Sequence, residues 1–417
     1  MMNMDASHPP SRRILTAAHC FDARNGQTRS GLSLLIEGDR IQRLAPLDEL
    51  RSAASGDAEV IDLGEATLLP GLVDVHTHLL ASVMEGRMGY AWALLTKSGP
   101  YRALEGAAAA RATLHAGVTS VRDVGNEGSG FADVALRDAI GMGLVEGPRM
   151  QVATRAIAAV GQYVPFGIAP DLEGFPRGAE MVSGVEEARR AVRTQLGSGA
   201  DLIKVYADWD HPTLTADELR VVVQEAHRQK KRVAAHANTP EGIIAAVEAG
   251  VDSIEHGHRT DRRALEAVRK EGRVLVPTLS VMDHIQEAPP RGAPVDLLAA
   301  MIAEVDQAAH LAREVGVKIA VGSDISLMGQ HGRNPKELAS LLKRGYSTAE
   351  VLRAATLGGA ELMGWEDRIG TLEPGRFADV VAVRSDPLVD PTTLSSIPWV
   401  MKGGVVVEDR LHAPAAR

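Results

Sequence analysis

The sequence predicts an α/β protein: a (β/α)8 TIM barrel over residues 71–369, with a small β-sandwich domain formed by both chain ends, residues 1–70 and 370–417. Three observations carry that expectation. The middle of the chain holds eight apolar runs of strand length separated by segments of helical period, the count such a barrel needs. Both ends are instead rich in short strands broken by Gly turns. Polar residues also close several of the middle runs, where a barrel places its working rim.

The first end supplies runs at residues 13–18, 33–37 and 40–44, with Gly38-Asp39 as the hairpin turn between the last two. Runs at 58–63 and 66–69 continue the pattern to Pro70-Gly71. The barrel runs are 72–75, 119–124, 150–153, 202–206, 233–235, 252–254, 274–278 and 318–321. Helical period is clear at 216–230, 239–249, 262–271 and 295–315. Thr239-Pro240-Glu241 reads as a helix start, with Thr as N-cap and Pro in the first position. Gly250 and Gly272 fall where a helix end takes a left-handed residue. Residues 157–179 are Gly/Pro-rich and aperiodic, and are expected to form a long βα loop. At the far end, 380–383 is β-branched, while 399–401 and 405–408 flank Gly403-Gly404.

Composition narrows the class. A length of 417 residues exceeds one small module, and 45% apolar residues exclude disorder for most of the chain. A net charge of −9 with no Lys/Arg run argues against nucleic acid or an anionic membrane as partner. Cys20 is the single cysteine, so no internal disulfide is expected. No apolar run reaches the ~18 residues of a membrane span, and the opening MMNMDASHPPSRR lacks a signal-peptide core. A cytoplasmic protein with a small-molecule substrate is the expectation.

The chemistry sits at the run ends. His76 and His78 lie two positions apart, so on a strand they share a face. Two neutral imidazoles there suit a metal ion, the bland alternative being a surface pair. His236, His256 and Asp324 each close a later run and would reach the same rim. Lys204 sits between Ile203 and Val205 inside a run, where burial would strip its hydration and lower its pKa. Such an amine could form a Schiff base, add to carbon dioxide to give a carbamate, or snorkel to the rim. The nearby histidines favour the carbamate.

These residues together resemble the amidohydrolase superfamily, in its imidazolonepropionase-like and prolidase-like (ochratoxinase-like) branch with two metal ions. The flanking stretches are similar as well: Leu69-Pro70-Gly71-Leu72-Val73-Asp74, Gly117-Val118-Thr119-Ser120-Val121-Arg122-Asp123, Ile254-Glu255-His256-Gly257 and Gly370-Thr371-Leu372-Glu373-Pro374-Gly375. The resemblance implies that His76, His78 and Asp324 hold the more buried of two divalent ions, zinc being expected. It implies that His236 and His256 hold the other, and that carboxylated Lys204 bridges them. It further implies a bridging hydroxide as nucleophile, Asp324 as proton shuttle, and a homo-oligomer.

Substrate contacts are expected from Tyr206, His331 and His258, the last directed either to the site or into its loop. Arg122-Asp123 reads as a buried structural pair or a substrate anchor. Peptidase relatives often carry Thr-Gly-Gly-His-Gly after the third strand, whereas this chain reads Ala159-Val160-Gly161-Gln162-Tyr163-Val164-Pro165. Gln162, Tyr163 and Trp209 therefore become candidates for a specificity of its own. The implied reaction is amide hydrolysis of a dipeptide or N-acyl amino acid, with a cyclic amide as runner-up. A metal-free binding protein of the same fold is the alternative from another class, opposed by the presence of all six expected metal-site residues.

Overall fold

The structure is a computed structural model and describes residues 12–54, 58–81, 89–163, 174–289, 294–326 and 330–412. The chain divides into two compact units. One comprises Met1–Val73, Leu114–Ser120 and Ser347–Arg417; the other comprises Asp74–Thr113 and Val121–Tyr346.

The first unit is built on two sheets. Strands Arg40–Ala45, Ser33–Glu37, Arg12–Thr16 and Glu59–Asp62 form one in that order. Val405–Asp409, Trp399–Lys402, Val380–Val383, Thr67–Pro70, His19–Asp22 and Gln27–Ser30 form the other. Inward side chains from both, among them Leu15, Leu34, Ile36, Leu68, Val380 and Trp399, make one buried apolar cluster. The pair His19–Asp22 and Gln27–Ser30 has no counterpart among the expected runs. Its second strand, QTRS, is a largely exposed edge whose sequence carries no apolar alternation.

In the second unit seven parallel strands lie side by side. Their order is Ala179–Val182, Ala156–Ala159, Leu202–Tyr206, Arg232–Ala237, Ser253–His256, Val274–Val276 and Lys318–Ile319. Leu72–Thr77, Val118–Asp123 and Arg149–Val152 form a separate three-stranded sheet. The fold is thus mixed α/β with a parallel sheet, as expected, and each of the eight expected middle runs overlaps a strand. The expected loop at 157–179 differs: strand residues occupy both its ends, and its centre, 164–173, lies outside the described residues. Ala156–Ala159 is short and its apolar residues are mostly alanine, so its period is faint.

Strand alternation decides what faces where. Ile203, Val205, Val233, Ala235 and Ile254 pack with Leu219, Val222, Ile243, Val247, Leu265 and Val268 of the flanking helices. Lys204, Tyr206, His236 and Glu255 fall on the opposite parity and therefore on the other face. The helices begin as their sequence directs. Thr239 accepts from Gly242 N–H with Pro240 following, and Gly250 ends that helix in a left-handed conformation.

Buried carboxylates pin the connecting loops. Asp208 accepts from the Asn238 and Thr239 backbones and from the Thr239 hydroxyl. Asp74 accepts from the backbones of His76 and Ser323 and from Asn334 Nδ2. Glu337 accepts from the Leu279 and Ser280 N–H groups at 2.9 and 2.6 Å. No described helix is long and apolar enough to cross a membrane.

Burial pushes the Glu337 carboxyl up from its ordinary 4.5 to about 8, with Asp74 adding to the rise against the two backbone donors. The folded state therefore holds a proton that the unfolded chain releases near pH 4.5. The associated stability is complete below that pH and is lost as pH rises to about 8. Glu337→Gln should flatten this part of the stability profile, measured by urea unfolding at stepped pH. An unchanged slope would show that Glu337 is not its source.

Candidate metal centre

The centre assembles on the strand face opposite the helices. His76 and His78 come from Leu72–Thr77 and the residue just past it, two positions apart. Their rings lie 5.3 Å apart by centroid, and His76 lies 4.9 Å from His256. Asp324 enters from the segment after Lys318–Ile319, its N–H donating to His76 O at 2.8 Å. Asp324 Oδ1 is 3.6 Å from His76 Nε2 and 3.3 Å from His78 Nε2, and Oδ2 is 3.9 Å from His256 Nδ1. Among the described residues, His76, His256 and Asp324 form the set whose donor atoms converge closely enough to hold one ion.

Two backbone irregularities make this convergence possible. A regular strand would send Glu255 and His256 to opposite faces. His256 instead has φ 72, a left-handed value uncommon outside Gly, so both of these consecutive side chains serve the centre. Asp324 has φ 52 at the corresponding strand end. Gly322 lets the Asp324 segment pass close to His76, because a Cβ there would lie 2.6 Å from His76 Cβ and also against Val276.

The far sides of the first two histidines are tied back. His76 Nδ1 pairs with Glu255 Oε2 at 2.7 Å, which turns its Nε2 lone pair toward Asp324. Glu255 Oε1 accepts from Arg122 Nη2 at 2.7 Å, and Arg122 also donates to Val75 O and the Ser253 hydroxyl. His78 Nδ1 faces Gly125 O at 3.2 Å and Glu127 Oε1 at 3.1 Å. Arg122 is thus bound to Glu255 across the strands. Asp123 is occupied separately, accepting from Leu79 N–H.

His236 neighbours His256 at 4.6 Å between centroids, and its Nε2 accepts from Asn238 Nδ2 at 3.2 Å. Lys204 is buried and makes no hydrogen bond among the described residues; its Nζ lies 5.9 Å from the Tyr206 ring centroid. An aromatic wall stands beside His236. Tyr206 stacks on Trp209 at 4.8 Å, Trp209 lies 4.4 Å from His236, and Tyr163 lies 5.4 Å from Tyr206. His258 turns to Pro277 O at 2.8 Å, with its ring 5.4 Å from His256. His331 is anchored to Ala81 O at 3.0 Å. Gln162 is exposed, whereas its neighbour Tyr163 reaches toward Glu127.

Burial governs the charges. It pushes Lys204 down to about 8, Arg122 adding to the fall against Glu255 and Asp324. It pushes His76 down to about 4 and His236 and His256 well below the usual imidazole value. For Asp324 burial acts upward, but His76, His78 and Lys204 outweigh it and hold the carboxyl at about 2. Neutral imidazoles around an ionised carboxylate are a donor set that suits zinc or a similar divalent ion. Glu255 and Glu127 were not singled out by sequence. A charged residue inside the short strand Ser253–His256 was the available signal for Glu255, while Glu127 sits in a Gly-rich loop with none.

A model of the amidohydrolase family matches residues 67–407. Ochratoxinase of Aspergillus niger is 30% identical over 94% of this chain and 88% of its own length. Imidazolonepropionase of Symbiobacterium thermophilum is 26% identical over 91% and 88%. The crystal structure of a Xaa-Pro dipeptidase with bound methionine in the active site matches with a TM-score of 0.85. It is 31% identical and covers 95% of this chain and 100% of the other.

Gly322→Ala should force the two segments apart and destabilise the protein by about 1–3 kcal/mol, the usual range for overpacking a core. Denaturant unfolding checks this, and wild-type stability would mean that the approach at His76 is not tight.

Proposed function

Because this chain belongs to the amidohydrolase family and is a hydrolase of carbon–nitrogen bonds, we propose that it cleaves the amide bond of a dipeptide or N-acyl amino acid at a centre of two divalent ions. Aromatic amides of the ochratoxin type fall within that class. The observation that carries the reading is the common aim of two imidazoles: His76 and His78 each have Nδ1 engaged from behind and Nε2 turned to Asp324 Oδ1. A surface or merely structural histidine pair has no reason to be held so.

In this reading His76, His78 and Asp324 would hold one ion and His236 and His256 the second, and Lys204, as a carbamate, would serve as a ligand to both. Burial, by lowering Lys204 to about 8, raises the share of its neutral amine and favours that step: the nitrogen adds to the carbon of carbon dioxide and sheds a proton, leaving an anionic oxygen ligand. Zinc, when bound, supplies Lewis acidity toward the amide carbonyl and water ionised near neutral pH. Asp324, kept ionised by its neighbours, takes the proton of the attacking water at a carboxylate oxygen and delivers it to the leaving nitrogen. Tyr206, Trp209 and Tyr163 offer a flat apolar wall for a side chain flanking the scissile bond. The similarity to ochratoxinase and to a Xaa-Pro dipeptidase supports an open-chain amide, while the imidazolonepropionase relative supports the second reading, a cyclic amide.

The strands of the second unit are proposed to close as a (β/α)8 barrel, with the two sheets of the first unit as a β-sandwich. The hydrogen bond from Val75 N–H to Val321 O at 2.8 Å supports closure, since it joins the first barrel strand to the segment just past the last, Lys318–Ile319.

Purified protein should contain about two metal ions per chain, and its cleavage of a panel of dipeptides and N-acyl amino acids should vanish on chelation and return with zinc. Metal without cleavage of that panel would move the substrate to cyclic amides, and no uptake under any loading would sink the reading. Asp324→Asn should lower kcat by about 10²–10⁴-fold, the scale of general acid–base catalysis, with thermal unfolding little changed. Near-normal turnover in that variant would remove Asp324 as the proton carrier.

A further inference from the structure

We propose that Glu127 is a positioning residue, holding the His78 ring from the side opposite Asp324 and linking it to the substrate-facing tyrosines. The inference rests on the metal-dependent reading above.

Glu127 lies in a loop, with φ 52, yet it is only 8% exposed. The loop around it is fixed: Asn126 N–H donates to Thr154 O, and Asn126 Oδ1 accepts from Gly128 N–H. One carboxylate oxygen is 3.1 Å from His78 Nδ1. The other accepts from Tyr90 at 2.6 Å and lies 3.3 Å from the Tyr163 hydroxyl, while the two tyrosine oxygens are 2.6 Å apart. Tyr90 belongs to helix Gly89–Thr96 and Tyr163 follows strand Ala156–Ala159, so a helix and two loops meet on one carboxylate.

Two glycines leave room for this cluster. A Cβ on Gly178 would lie 2.5 Å from the Tyr163 hydroxyl and 2.7 Å from that of Tyr90. A Cβ on Gly125 would lie 2.9 Å from Glu127 Oε1 and 3.2 Å from His78 Nδ1. A buried carboxylate is costly unless its charge has partners. Gly125 O already offers His78 Nδ1 a neutral acceptor at 3.2 Å. What Glu127 adds is negative charge, which keeps the proton on Nδ1 and makes Nε2 the more basic donor. The cluster also reaches the aromatic wall, because Tyr163 packs 5.4 Å from Tyr206. The arrangement is therefore a device for both ligand orientation and its coupling to the substrate side.

The test titrates metal-free protein with zinc against a chromophoric chelator, and measures kcat and KM on the amide cleaved best by the wild type. Glu127→Gln keeps the shape but removes the charge. It should weaken zinc binding about 10- to 100-fold, the usual scale for losing such a partner, and lower kcat with KM little changed. Tyr90→Phe keeps the charge of Glu127 but removes the hydroxyl that holds its carboxylate at 2.6 Å; the loosened carboxylate should weaken zinc binding by less, so this variant decides the matter if Glu127→Gln fails to fold. Wild-type zinc affinity in the folded variants overturns the role of Glu127. A wild type that takes up no zinc overturns the metal reading itself, and this inference falls with it.

Discussion

The site depends on a guanidinium that has no route to water. Arg122 is 1% exposed, and an arginine cannot shed its proton to escape that burial. Its charge must be answered where it lies, and Glu255 answers it at 2.7 Å. Removing either partner would strand the other as an unpaired buried charge, which typically costs about 3–5 kcal/mol. Further donors of Arg122 meet Val75 O and the Ser253 hydroxyl, so the pair spans strands Val118–Asp123, Leu72–Thr77 and Ser253–His256. The second oxygen of Glu255 is then free to engage His76. One ion pair thus ties three strands together and fixes the orientation of His76.

Much of this was legible in the sequence, for a physical reason. Residues that close or interrupt apolar runs declare themselves locally: Lys204 between Ile203 and Val205, His236 after Ala235, Asp324 after Gly322-Ser323. Strand parity then places Lys204 and Tyr206 on one face, and the register that pairs Tyr206 with His236 adds the histidine to it. The second set of partners was not legible. Glu127 and Tyr90 are 37 residues apart in loop and helix, and nothing in either neighbourhood signals the other. Glu255 had a weak local signal, but its parity conflicts with that of His256 until the left-handed turn at His256 is known. Arg122 and Asp123 were adjacent in sequence and were read as a possible pair; as neighbours on a strand they point apart, and each finds its partner elsewhere.

The two histidines of Leu72–Thr77 and its end are consequently unlike each other, and the difference bears on how a cation would compete with protons. At His76, burial and Lys204 drive the imidazole toward its neutral form despite Glu255 and Asp324. At His78 burial acts the same way, yet bonds to Asp324 and Glu127 prevail and raise it well above the usual value. When protonated, His78 faces a carboxylate from each of its nitrogens. Binding at Nε2 requires loss of the proton directed to Asp324, not the one directed to Glu127. The carboxylate behind His78 retains the Nδ1 proton through that exchange, and Asp324 on the open side is left as an acceptor. An acceptor in that position is what a proton-transferring carboxylate needs, so the asymmetry between Glu127 and Asp324 fits the separate roles proposed for them, one holding a ligand and the other moving a proton.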